Sequence, residues 1–147
     1  MSLKDQLKSD MKAAMKSGEK ERLSVIRMLL AAIQTKEIEN RSELDDPAVL
    51  AVIEKLVKQR KDSAKQFADA GRPEREAAEL SEAETLQAYL PAQLSTAELE
   101  ALVAEVVEAT GAAGMQDMGK VMGQLKARAQ GRADMGAMSA LVKARLG

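Results

Sequence analysis

The feature that most limits this chain is how rarely it is interrupted. Up to residue 90, proline occurs only at 47 and 73 and glycine only at 18 and 71. Between these breaks, apolar residues return at the helical period rather than alternating as strand residues do. Leu3, Leu7, Met11 and Met15 recur every four residues, and Gly18 suits a helix end. "LSVIRMLLAAI" is apolar almost all round and suggests the centre of a bundle. The only aromatic residues are Phe67 and Tyr89, so any core must be aliphatic. An all-α fold is expected.

The punctuation predicts where helices begin and stop. The first runs from a Ser2 cap to Ser17, and the second covers 19–40. "NRSELDDP" is a loop, with Asp46 capping a third helix that has Pro47 at its first position and ends at Gly71. A fourth starts near Pro73 and ends at "AYLP". Ser95 and Glu98 form a capping box for "TAELEALVAEVVEA". Two shorter helices follow at 117–130 and 134–146, opened by Asp117 and Asp134. "DMG" recurs at 117–119 and 134–136 without a convincing longer repeat. The expected organisation is an N-terminal helical hairpin or bundle domain, residues 1–91, and a small three-helix tail domain, residues 92–147. "YLPAQLS" between them reads as a packed joint or as a mobile hinge.

The chain has neither cysteine nor histidine. Disulfides, thiolate nucleophiles, Cys/His zinc sites and imidazole acid–base chemistry are therefore excluded. No catalytic residue, metal ligand or cofactor site is identified. The N-terminus is charged from Lys4, unlike a signal peptide, and the longest apolar run, Met28 to Ile33, is far too short to span a bilayer. A cytoplasmic protein with no membrane partner is expected.

"GMQDMGKV", residues 114–121, matches all but the last letter of a phosphate-binding loop. That loop needs a strand before it and a hydroxyl for magnesium. Here an acidic helix precedes it, and Val121 replaces the hydroxyl residue. The stretch is better read as a helix start. Met118, Val121, Met122, Leu125 and Ala129 fall within an arc of about 100°, with Lys120, Lys126 and Arg128 outside it. Gly119 and Gly123 would let another backbone approach closely.

Charge is unevenly placed along a chain of net −1. Residues 81–114 hold six Glu and no Lys or Arg; residues 115–147 hold six basic residues against Asp117 and Asp134. The candidate phosphate contacts are Lys120, Lys126, Arg128, Arg132, Lys143 and Arg145. The ordinary reading is a solvated helix face. A second anomaly lies in the first domain, where Arg60 falls inside the apolar arc of helix three, about 20° from Ile53. Arg27 lies between Leu23 and Ala31 on helix two. The two are expected at nearly one level of a hairpin, either ion-paired to a glutamate such as Glu37, Glu82 or Glu84, or with one of them at the rim, or together holding an anion.

The tail stretch "GKVMGQLKARAQGRADMGAMSALVKARL" resembles the C-terminal segment of the GatB/YqeY family. "RLSVIRMLLAAIQTKEIE", "VIEKLVKQRKDSAKQFADAGRPE" and "YLPAQLS" are similar to its stand-alone YqeY-like members. The resemblance implies a helical N-terminal domain, a helical tail shared with a tRNA-dependent amidotransferase subunit, and a tRNA link through that tail. It transfers the tail and not the catalytic body, whose chemistry needs an activated nucleophile and a phosphate or metal site. A non-catalytic protein that contacts folded tRNA or a tRNA-processing protein is therefore expected, with no DNA binding. The alternatives are an adaptor that binds protein without RNA, and a component of a carbon–nitrogen ligase with glutamine as amido donor. The tail has no aromatic residue to stack unpaired bases, which favours contact with the backbone of folded RNA.

Overall fold

Ser2 starts the chain's first helix as its sequence suggests. Its hydroxyl accepts from Asp5 N–H at 3.1 Å while the Asp5 carboxylate accepts from Ser2 N–H. The computed structural model describes residues 2–147. Among them lie seven α-helices, one 3-10 turn and no strand. The helices are α1 (Leu3–Ser17), α2 (Lys20–Asn40), α3 (Asp46–Asp69), α4 (Pro73–Gln87), α5 (Thr96–Thr110), α6 (Met118–Ala129) and α7 (Met135–Leu146). The all-α class is as expected. The chain forms two compact units, Met1–Leu90 and Pro91–Gly147.

The first unit packs α1 to α4 around an aliphatic core of Leu7, Val25, Leu29, Ile33, Val49, Ile53, Val57 and Leu86. In α1 the expected stripe needs correction. Leu7 and Ala14 are buried, but Met15 is 53% exposed. A repeat of four drifts by about 40° per step against the 3.6-residue turn, so Met15 has rotated off the core that Leu7 faces. The start of α3 also shifts by one residue. Asp45 is the cap and accepts from Ala48 N–H at 3.0 Å, while Asp46 accepts from Leu3 N–H at 2.9 Å and ties α1 to α3.

Two polar networks join the helices. Glu37 accepts from Lys4 Nζ at 2.6 Å and from Leu44 N–H at 2.8 Å. The Lys4 hydrogen bond, then the Leu44 one, hold its carboxyl below the ordinary value, and the same contact raises Lys4. Asp10 accepts from the Tyr89 hydroxyl and from Gln6 Nε2, with Arg22 at 3.8 Å. Burial, and next the bond to Asp10, push the Tyr89 hydroxyl up to about 12.

The short turn at Gly71 lets α3 and α4 pack back along each other. Arg75 of α4 lies 5.6 Å from the Phe67 ring centroid of α3, within cation–π range. Arg60 of α3 donates to Glu82 of α4 at 2.8 Å, lies 3.7 Å from Glu79 and touches Met28 Sδ. Glu79 Oε2 is buried without a hydrogen bond, so Arg60 meets it by charge alone. Arg60 thus has its ion pair within the helix hairpin.

Arg27 does not join it. It is exposed, whereas Val25, Ile26, Leu29 and Ile33 of the same helix are buried. Those four centre the core side about 145° from Arg27 on the helix circumference. Of the two residues flanking Arg27, Ala31 shares its outer side, while Leu23 is half-buried at the edge of the core side. A helix apolar nearly all round does not disclose in sequence which side faces in.

Two outcomes are expected for this unit. Leu29→Ala should lower stability by about 2–5 kcal/mol in urea unfolding, and Arg27→Ala by less than about 0.5 kcal/mol. Tyr89 stays neutral in the fold at pH values where it ionises in the unfolded chain. Its contribution is therefore intact below pH 10 and is lost as pH rises from about 10 towards 12. As the chain's one tyrosine, its tyrosinate absorbance reads this directly, and Tyr89→Phe should flatten the alkaline fall in stability.

Candidate nucleic-acid interface

The second unit is built on three apolar stripes. Leu99, Val103 and Val106 of α5 meet Val121, Leu125 and Ala129 of α6 and Met138, Val142 and Leu146 of α7. Each stripe fixes its helix's rotation, and the rotation decides where every charged side chain stands.

The caps hold α5 and α7 as read from sequence. Ser95 and Glu98 exchange hydrogen bonds of 3.1 Å, which keep the Glu98 carboxyl low, and Asp134 accepts from Ala137 N–H at 3.0 Å. Asp117 does something else. It closes the 3-10 turn Met115–Asp117, and its carboxylate accepts from Ala113 N–H at 3.0 Å behind it. No side-chain cap reaches α6.

The six basic candidates divide into two groups. Lys120 donates to Thr110 O at 3.3 Å, placing its charge at the negative end of α5. Arg132 donates from Nε to Ala92 O at 3.0 Å, and its own carbonyl accepts from Leu94 N–H at 2.8 Å. Gln93 reaches Gly131 O at 2.6 Å, so the corner at 131–132, with Gly131 at φ 75°, clasps the strand of chain entering the unit. Arg128 donates to Glu105 of α5 at 3.2 Å, an exposed pair. Lys126, Lys143 and Arg145 are exposed and make no hydrogen bond or ion pair among the described residues.

The structure also shows a repeat that the sequence reading missed. At one constant offset, Asp117-Met118-Gly119 corresponds to Asp134-Met135-Gly136, and Lys126-Ala127-Arg128 to Lys143-Ala144-Arg145. At the same offset, buried Val121, Leu125 and Ala129 correspond to buried Met138, Val142 and Leu146. Lys126 matches Lys143 in rotation about its own helix axis, and Arg128 matches Arg145. "DMG" together with "KAR" was the available signal, obscured by the unlike residues between them. Lys120 corresponds to Ala137 in this register, and Arg132 lies in the turn between the two copies.

Gly119 and Gly123 are exposed, and apart from their chain neighbours and the adjoining backbone of α6 no heavy atom of the described residues lies within 4 Å of where a Cβ would stand on either. They leave a bare strip on α6. Open clefts among the described residues of the first unit include two between helices. One, of about 820 Å³, lies between the Gly18–Val25 region and α4 and mixes Lys20 and Arg22 with Glu19, Glu21 and Glu82. The other, of about 530 Å³, lies between α2 and α3. Among the described residues no acidic cluster has the spacing of a metal site, and no helix is long and apolar enough to cross a membrane.

Comparison with known proteins gives one consistent relationship. Residues 4–146 match the model of the family described as Yqey-like protein. Similar relatives carry the name altered inheritance of mitochondria protein 41, mitochondrial. The one from Eremothecium gossypii is 39% identical over 99 residues, 67% of this chain and 54% of that protein. The one from Lachancea thermotolerans is 38% identical and the one from Kluyveromyces lactis 36%, each over 105 residues, 69% of this chain and 56% of the relative. The chain thus spans about half the length of these relatives. With nearly every residue matched by the family model, the chain belongs to the YqeY-like family.

Proposed function

We propose that the tail unit engages folded tRNA, or an assembly that processes it, through the phosphate backbone, and that the chain carries out no catalysis itself. The observation behind this reading is the recurrence of one cationic element on two helices in equivalent register, most of it uncommitted. Lys126, Lys143 and Arg145 supply charge that the unit's own packing does not use. Lys120 and Arg132 are spent on helix and loop contacts and drop to a supporting role. Phosphate contacts position a protein on a nucleic acid without reading its bases, which agrees with a tail lacking aromatic side chains.

A second reading has one observation in its favour. The exposed strip at Gly119 and Gly123 suits close packing by a protein element, which would make the tail an adaptor without RNA contact. The family's kinship with a glutamine-dependent carbon–nitrogen ligase supports at most a role beside a separate catalytic subunit.

The full chain should bind labelled bulk tRNA weakly. With three or four phosphate contacts, affinity should fall by roughly thirty- to a hundredfold between about 50 and 200 mM salt. Replacing Lys126, Lys143 and Arg145 together by Ala should abolish most of that salt dependence and leave the circular dichroism spectrum intact. Arg132→Ala should instead act on the fold, with a loss of about 1 kcal/mol in urea. Absence of tRNA binding even at the lowest salt would leave the adaptor reading in its place. The purified chain should also release no ammonia from glutamine; measurable turnover would return it to the ligase class.

A further inference from the structure

The repeated element is equivalent in register but not in surroundings. Arg145 is exposed and has no acidic partner among the described residues. Arg128, at the corresponding position of α6, donates to Glu105 Oε1 of α5 at 3.2 Å. The pair is open to solvent, with 46% of the arginine side chain and 63% of the glutamate side chain exposed. Glu105 belongs to the stretch 81–114, which contains no Lys or Arg to neutralise it.

A guanidinium presents the same fork of N–H donors to a carboxylate and to a phosphate. Anything that brings a phosphate to Arg128 must therefore displace Glu105 or share the arginine with it. An exposed pair of this kind is weak, so displacement is cheap but not free. The glutamate also adds negative charge beside the incoming phosphate.

We infer that Glu105 is an intramolecular competitor for RNA phosphate at Arg128, so that Arg145 engages the backbone first and Arg128 only when Glu105 has been displaced. This rests on the RNA reading of the tail. It makes α5, which carries no cation, the element that sets the strength of the interaction. The apolar stripe of α5 at Leu99, Val103 and Val106 holds Glu105 in place, while Glu100 points about 140° away from it around the same helix.

The test is a titration of labelled bulk tRNA with the full chain and with four variants: Glu105→Gln, Arg128→Gln, the two combined, and Glu100→Gln as a control for simple loss of an α5 charge. The affected side chains are exposed, and circular dichroism checks that each variant is folded. Glu105→Gln should tighten binding by about two- to fivefold at low salt. It should also steepen the dependence of log affinity on log salt by about 0.7–0.9, the value of one added phosphate contact. Both changes should vanish in the Arg128→Gln background, and Glu100→Gln should show neither. A gain that survives Arg128→Gln, or that Glu100→Gln reproduces, overturns the competitor role while leaving RNA binding intact. No change on Glu105→Gln in a chain that binds tRNA overturns it equally. Failure of the unaltered chain and Glu105→Gln alike to bind at low salt overturns the RNA reading, and this inference with it.

Discussion

Burial of aliphatic stripes is the constraint on which the tail's chemistry depends. No aromatic ring, disulfide or zinc cluster assists it, because the tail contains none of the necessary residues. Three short helices must therefore turn Leu99, Val103 and Val106, then Val121, Leu125 and Ala129, then Met138, Val142 and Leu146 towards one another. Rotating α6 by one residue, about 100°, would remove all three of its core contacts. The positions of Lys126 and Arg128 on the solvent side, one on each flank of the stripe, follow from that packing rather than from any local attraction. The same holds on α7 for Lys143 and Arg145.

This division explains why a count of basic residues overstates the interface. Lys120 and Arg132 look like their neighbours in the sequence, yet each completes a backbone contact that the fold would otherwise leave to water. Arg128 stands between the two groups, exposed but held by Glu105. In the first unit, Arg60 shows the same distinction more strongly. It reads as an anomaly on an apolar arc, and it is one of the points where α3 is tied to α4, through Glu82 and Glu79.

Much of the fold was legible in the sequence because its signals are local. Ser2 with Asp5 and Ser95 with Glu98 combine a hydroxyl and a carboxylate at cap spacing, and Gly18, Gly71 and Gly111 mark helix ends by adopting positive φ. The misreadings arose where the deciding partner is elsewhere. Asp46 looks like a cap until Leu3 takes its carboxylate, and Asp117 until Ala113 does. Arg27 could not be oriented because α2 offers apolar residues on nearly every side. The repeat between α6 and α7 stayed hidden because only its core positions and its ends are kept, and burial must be known to see the former.

The clasp at Gly131 and Arg132 has a mechanical consequence. Residues 92–94 enter the tail and are bonded at once to the corner between α6 and α7, through Ala92 O, Gln93 Nε2 and Leu94 N–H. Tension applied to the chain at residue 92 is therefore delivered to that corner before it reaches the start of α5 at Thr96. The joint between the two cationic helices is thus the anchor of the unit, and the acidic helix that follows the entry segment in sequence lies beyond the anchor in the path of force.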